Sequence, residues 1–191
     1  SDVVERESVM TLLYPDLSES TRVLDVPTHD PDHVRGAMGR FPTGVVALCA
    51  IVDGVPVGMV ASSFSVGASY SPPMVMFSVQ NSSTTWPILR RAERIGVSVL
   101  GSHQSDACMQ LASRSRDRFD GLATTVTDDG AVLIDGAAMW FDCDVYSCAP
   151  AGDHSVVVMR VHTMNIDDAG APLIYHERRF HGLAVIDGGR A

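Results

Sequence analysis

The stretch from Gly58 to Arg94 constrains the fold most, because three backbone habits follow one another within it. Ala61-Ser62-Ser63-Phe64-Ser65 reads as a hydroxyl-rich strand, Pro72-Pro73 as a corner, and Met74 to Val79 as a nearly all-apolar strand. A polar turn, Gln80-Asn81-Ser82-Ser83-Thr84, then runs into a helical pattern that the spacing predicts from about Thr85 to Glu93. A strand ending in a Ser/Thr-rich turn at a helix start gathers free backbone N–H groups and the positive end of the helix dipole. That is a good place to hold an anion. The serines of the first strand could hydrogen-bond the edge of a flat heterocycle beside it. A mononucleotide such as flavin is one such ligand, and the local chemistry admits others.

The rest of the chain is strand-rich. Residues Ser1 to Thr28 read as an extension, with a short helical pattern at Val9 to Leu13 ended by Pro15. Asp30-Pro31-Asp32 supplies an N-cap with proline in the first turn, so a helix is expected through Val34, Ala37 and Met38, stopped by Pro42. Val45 to Val52 is a continuous β-rich run, Asp53-Gly54 a type I′ hairpin signal, and Val55 to Ala61 the return strand. Ile95 to Leu100 is another strand, and Ser105 to Ser113 a helix with Cys108, Met109, Leu111 and Ala112 facing inward. Arg114 to Asp129 is a charged connection in which Asp117 and Arg118 suggest an ion pair. Ala138 to Tyr146 alternates cleanly, Ala149 to Asp153 is a turn, and His154 to Met164 is a long strand. Asp167 to Gly170 turns into Leu173-Ile174-Tyr175, and a terminal strand runs from Phe180 to Ile186. Seven or eight short strands with inserted helices predict a mainly β protein, an antiparallel Greek-key-type barrel with flanking helices. Residues 1–30 form the arm and 31–191 the domain.

Composition narrows the partners. Fourteen basic against 23 acidic side chains leave a net charge of −9, which argues against nucleic acid and anionic membranes. Lysine is absent, which removes Schiff-base chemistry through a lysine. No apolar run reaches membrane-spanning length and no leader is evident at the start, so a cytoplasmic protein is expected. Cys49, Cys108, Cys143 and Cys148 lack zinc-like spacing and read as buried free thiols. His176 and His181 lack a third ligand, so no metal site is expected, and the Asn81-Ser82-Ser83 sequon reads as a chance match.

Seven short pieces in order carry a resemblance: Phe41-Pro42-Thr43-Gly44-Val45, Gly58 to Ser65, Pro72 to Phe77, Asn81 to Pro87, Asp117 to Gly121, Gly152-Asp153-His154, and Pro172 to His176. Over Pro31 to Leu183 the chain resembles the short-chain flavin reductases, reductase components of two-component flavin monooxygenases built on the FMN-binding split barrel. The resemblance implies hydride transfer from NADH or NADPH to FMN or FAD, supply of reduced flavin to a monooxygenase component, and a homodimer. It implies that Ser62 and Ser63 hold the ring and ribityl chain, Asn81, Ser83 and Thr84 the phosphate, and that Pro42 and Thr43 border the ring. Ala61, Ser65, Ser78, Gln80 and Phe180 complete the cofactor-binding set, with Arg118 as a further phosphate candidate. His154 is expected where the nicotinamide arrives, as the residue nearest the chemistry.

One segment departs from the family pattern Tyr-x-x-Gly-x-Tyr. Here it reads Tyr175-His176-Glu177-Arg178-Arg179-Phe180, so Phe180 keeps an aromatic face without the hydroxyl and Arg178 replaces glycine. Two rivals are a non-catalytic flavin- or haem-binding split barrel and a pyridoxamine-phosphate-oxidase-like enzyme. Gly152-Asp153-His154 and the missing lysines favour the reductase.

Overall fold

The computed structural model describes residues 30–114, 117–168 and 170–184. The expected arm with its Val9–Leu13 pattern, Arg116, Ala169 and the end of the terminal strand at Ile186 lie outside the described residues. The chain divides into two compact units, Ser1–Gly36 and Ala37–Ala191. In the first, the Asp30 carboxylate accepts the Asp32 N–H at 3.0 Å and its carbonyl accepts the Val34 N–H at 3.1 Å. The predicted cap therefore starts helix α1, Pro31–Met38.

The described residues hold twelve strands, more than the seven or eight expected: β1 Thr43–Gly44, β2 Val46–Val52, β3 Val55–Ala61, β4 Ser65–Tyr70, β5 Pro73–Gln80, β6 Ile95–Val99, β7 Thr124–Val126, β8 Val132–Ile134, β9 Met139–Ala151, β10 His154–Ile166, β11 Ile174–His176 and β12 Arg179–His181. Two further helices are α2, Trp86–Leu89, and α3, Ser105–Ala112. Seven strands form one antiparallel sheet in the order β3-β2-β6-β9-β10-β5-β4; β1-β11-β12 and β7-β8 form two smaller ones. The large sheet curls until the chain leaving β3 meets β5. There the Ser63 hydroxyl donates to the Ser78 carbonyl at 2.8 Å and accepts the Ser78 N–H at 3.0 Å. A side-chain bridge spans the seam just before the chain pairs with β5 as strand β4.

β2 explains its own lack of alternation. Val46, Leu48 and Ala50 face the barrel core with Phe77, Ile95 and Met159, whereas Val45, Ala47 and Cys49 face a second core with Leu100, Leu111 and Leu173. A strand buried on both faces reads as a continuous apolar run. The Asp53-Gly54 turn has φ of 52° and 80°, as the type I′ signal requires. Glu177 and Arg178 also take positive φ, 47° and 63°, which is why a glycine suits the latter position. Trp86 is a packing residue, edge-on to Phe77 at 5.2 Å between ring centroids.

Several expectations fail for identifiable reasons. Ser62 to Phe64 is not strand, because Ser63 spends its side chain on the seam. β4 escapes notice because it is an exposed edge strand with no buried stripe to leave a pattern. α2 does not extend to Glu93: the Arg91 and Ala92 amides bond three residues back, tightening the chain into a turn before β6. Met109 is 62% exposed rather than inward, and Cys148 is exposed while the other three thiols are buried. Residues 149–151 continue β9, and β12 stops at His181.

On the outer side of β9 and β10, Arg160 donates to Asp144 at 2.6 and 3.1 Å, and His162 Nε2 lies 2.9 Å from the same carboxylate. Arg160 first, opposed by partial burial and then aided by His162, holds the Asp144 carboxyl below its usual range. A carboxyl depressed in the folded state stabilises above its unfolded value, about pH 4, and that contribution fades as pH falls below it. Urea unfolding should therefore show wild type more stable than Asp144→Asn at neutral pH, with the gap narrowing steadily as pH falls below about 4. A gap unchanged at low pH would show that the pair's ionisation is not its source.

Candidate active site

A cavity of about 370 Å³ opens where the ends of β3 and β5 meet the end of α3 and the first residue of β10. Its apolar wall is Met59, Val60, Val79, Leu111 and Ala112. Its polar wall is Ser62, Ser63, Ser78, Gln80 and the turn from Ser82 to Thr85. Arg114, Arg118 and His154 complete it.

Arg118 is held from three sides. Its Nε donates to the Ser113 carbonyl at 2.8 Å, and Nη1 donates to the Gly58 carbonyl at 2.6 Å and to Thr85 Oγ1 at 2.9 Å. The expected pair with Asp117 does not form, because that carboxylate caps the Phe119 N–H at 2.9 Å. Among the described residues neither Arg118 nor Arg114 pairs with a carboxylate. Two arginine charges in one cavity wall make a local positive field in a chain whose net charge is −9. The helix dipole contributes little, since α2 has only four residues.

His154 stands opposite Gln80 in the β5–β10 register, with its side chain 35% exposed and Nδ1 2.7 Å from an Asp153 carboxylate oxygen. The three buried thiols are inert: burial pushes Cys49 and Cys143 up to about 12 and Cys108 to about 11. What remains is an apolar strip, hydroxyls and backbone edges, and a cationic end. That donor set fits a flat heterocycle carrying a phosphate.

Comparison with known proteins agrees with this chemistry. The flavin reductase like domain matches residues 38–184. A flavin reductase of Pseudomonas putida is 37% identical over 158 residues, covering 82% of this chain and 92% of its own. The chain belongs to the flavin reductase family. It is an oxidoreductase that reduces flavin with a nicotinamide nucleotide. The HsaB reductase subunit of a flavin-dependent monooxygenase from Rhodococcus jostii is 32% identical, covering 81% of this chain and 78% of its own. The structure of the Streptomyces globisporus NADH:FAD oxidoreductase SgcE6, in complex with NAD and FAD fragments, superposes with a TM-score of 0.78 at 29% identity. That match covers 87% of this chain and 99% of the other.

Of the reductase residues expected from sequence, the fold brings Ala61, Ser62, Ser63, Ser78, Gln80, Ser83, Thr84, Arg118 and His154 to one cavity. Two of these hydroxyls are already engaged: Ser63 on the seam, and Ser83 accepting the Trp86 N–H at 3.2 Å. Pro42, Thr43, Ser65, Asn81 and Phe180 do not line it. Pro42 precedes β1, where Thr43 pairs with Tyr175, and Phe180 packs on Tyr175 and the second core. Ser65 opens β4, and Asn81 turns toward the β9–β10 hairpin. Sequence reasoning missed Arg114, for which the arginine cluster after α3 in an acidic chain was a signal. It also missed Met59, Val60, Leu111 and Ala112, for which packing alone decides.

Proposed function

We propose that FMN, or the FMN half of FAD, occupies this cavity with its phosphate beside Arg118 and Arg114, and that NADH or NADPH enters past His154. The observation that carries this reading is the pair of arginines in the cavity wall that, among the described residues, have no carboxylate partner. When bound, flavin supplies the acceptor for the hydride that the nicotinamide delivers. The chain's own tasks are positional. Ser62, Gln80 and Thr84 offer hydrogen bonds, the Met59–Val60 strip and Leu111 exclude water from the rings, and His154 presents its imidazole at the wall. No side chain is needed as a nucleophile.

We further propose that the reduced flavin passes to a monooxygenase component, as befits a relative of a monooxygenase reductase subunit. A cytoplasmic homodimer is part of the same reading. Supporting the dimer, edge strand β4 leaves Val66 and Tyr70 59% and 89% exposed. No helix of the described residues is long and apolar enough to cross a membrane.

Steady-state NADH oxidation with FMN, FAD and riboflavin tests the activity, and flavin fluorescence titration tests the site. Arg114→Ala should weaken FMN on the order of tenfold while riboflavin, which lacks the phosphate, changes little. Equal losses for FMN and riboflavin would remove the phosphate from the arginines.

A further inference from the structure

We infer that Asn81 is a positioning residue for His154 and not a ligand of the flavin phosphate. Its sequence neighbours Gln80 and Ser82 both line the cavity, and Asn81 does not. Its backbone N–H and both polar atoms of its side chain are instead engaged on the β9–β10 hairpin. Its backbone N–H donates to the Asp153 carbonyl at 2.9 Å, its Nδ2 donates to the Gly152 carbonyl at 3.2 Å, and its Oδ1 accepts the Ser155 hydroxyl at 2.9 Å. These contacts fall on residues 152, 153 and 155, so they bracket His154 without touching it.

The clamp matters because the hairpin tip stands in water. Gly152 and Asp153 are the two residues between the paired Ala151 and His154, both are exposed, and Gly152 sits at φ 62°. A two-residue tip in water frays on its own. Holding the tip backbone keeps Asp153 beside the imidazole, and because its carboxylate accepts only, His154 Nδ1 donates across the 2.7 Å contact. That leaves His154 Nε2 as the nitrogen available to the cavity. Asn81 thereby sets both the place of the imidazole and which of its nitrogens a ligand meets.

The inference rests on the reading of His154 as the residue that meets the nicotinamide, and the experiment separates the two. Stopped-flow reduction at varied NADH, and titrations with FMN and riboflavin, are run on His154→Ala, Asn81→Ala and the double variant. Asn81→Ala should raise the NADH concentration dependence about three- to tenfold and leave FMN and riboflavin affinities alike. In the His154→Ala background it should add almost nothing, since its effect runs through the missing ring. In flavin-free protein, imidazole nitrogen NMR should show the His154 Nδ1–H tautomer in wild type and a mixed population in Asn81→Ala. Should Asn81→Ala fail to fold, Ser155→Ala, which cuts only the Oδ1 arm, carries the same expectations.

A larger loss for FMN than for riboflavin would return Asn81 to the phosphate and overturn the inference. So would an NADH effect that simply adds to that of His154→Ala, while the reading of His154 stood. If His154→Ala alone leaves the NADH dependence unaltered, the reading of His154 fails and takes the inference with it.

Discussion

Arg118→Ala should lose both stability, by about 2–4 kcal/mol, and FMN affinity, by about a hundredfold. The stability term comes from the three segments that one guanidinium ties together. Without it the Ser113 and Gly58 carbonyls, in a half-buried setting, lose charged donors, and Thr85 loses its partner. Each orphaned acceptor costs about 1–3 kcal/mol where water cannot replace the donor. The affinity term comes from removing a cation that no carboxylate among the described residues offsets. Arg118→Lys separates the two: an ammonium keeps the charge but cannot fork to Ser113 and Gly58 together. It should recover much of the FMN affinity and little of the stability. Urea unfolding and flavin titration read the two effects independently. An Arg118→Ala protein of wild-type stability that binds FMN within about twofold of wild type would refute both roles.

Asp142→Ala should be the most damaging single change outside the cavity. Asp142 accepts from Arg94 Nε and Nη2, both at 2.9 Å, and the two side chains are only 10% and 16% exposed. The hydrogen bond to Asp142 raises the Arg94 guanidinium above its ordinary value, and that ordinary value is by itself high enough to keep the arginine charged once its partner is gone. Stranding a buried charge typically costs about 3–5 kcal/mol, far more than the intact pair contributes. For a chain of this size that is a fall of roughly 6–20 °C in Tm by differential scanning calorimetry. Replacing both residues, Arg94→Met with Asp142→Leu, should recover most of it, because no charge is then left alone. If the single variant melts within about two degrees of wild type, water reaches Arg94 and the pair is not a buried one.

The sequence by itself determined whatever depends on neighbours in the chain. Asp30-Pro31 started a helix, Asp53-Gly54 made a hairpin, and the alternation over Phe141, Cys143 and Val145 marked a two-faced strand, because each is a matter of local dihedrals and side-chain period. The ordered pieces around Ser62, Asn81 and Gly152 were enough to name the family, since their order along the chain is itself sequence information.

Only the tertiary structure decided which of those residues turn toward the cavity. Arg118 looked like the partner of Asp117 beside it and instead reaches Gly58, sixty positions away. Asn81 looked like an anion ligand and braces Gly152 and Ser155 across the β5–β10 seam. Ser63 lines the cavity as the sequence suggested and also bridges to Ser78 across the seam, which local pattern did not show. In each case a polar side chain had several partners of the right chemistry, and local pattern cannot choose among them. The choice falls to whichever partner the folded chain places within about 3 Å, a distance set by strand pairing far from the residue itself.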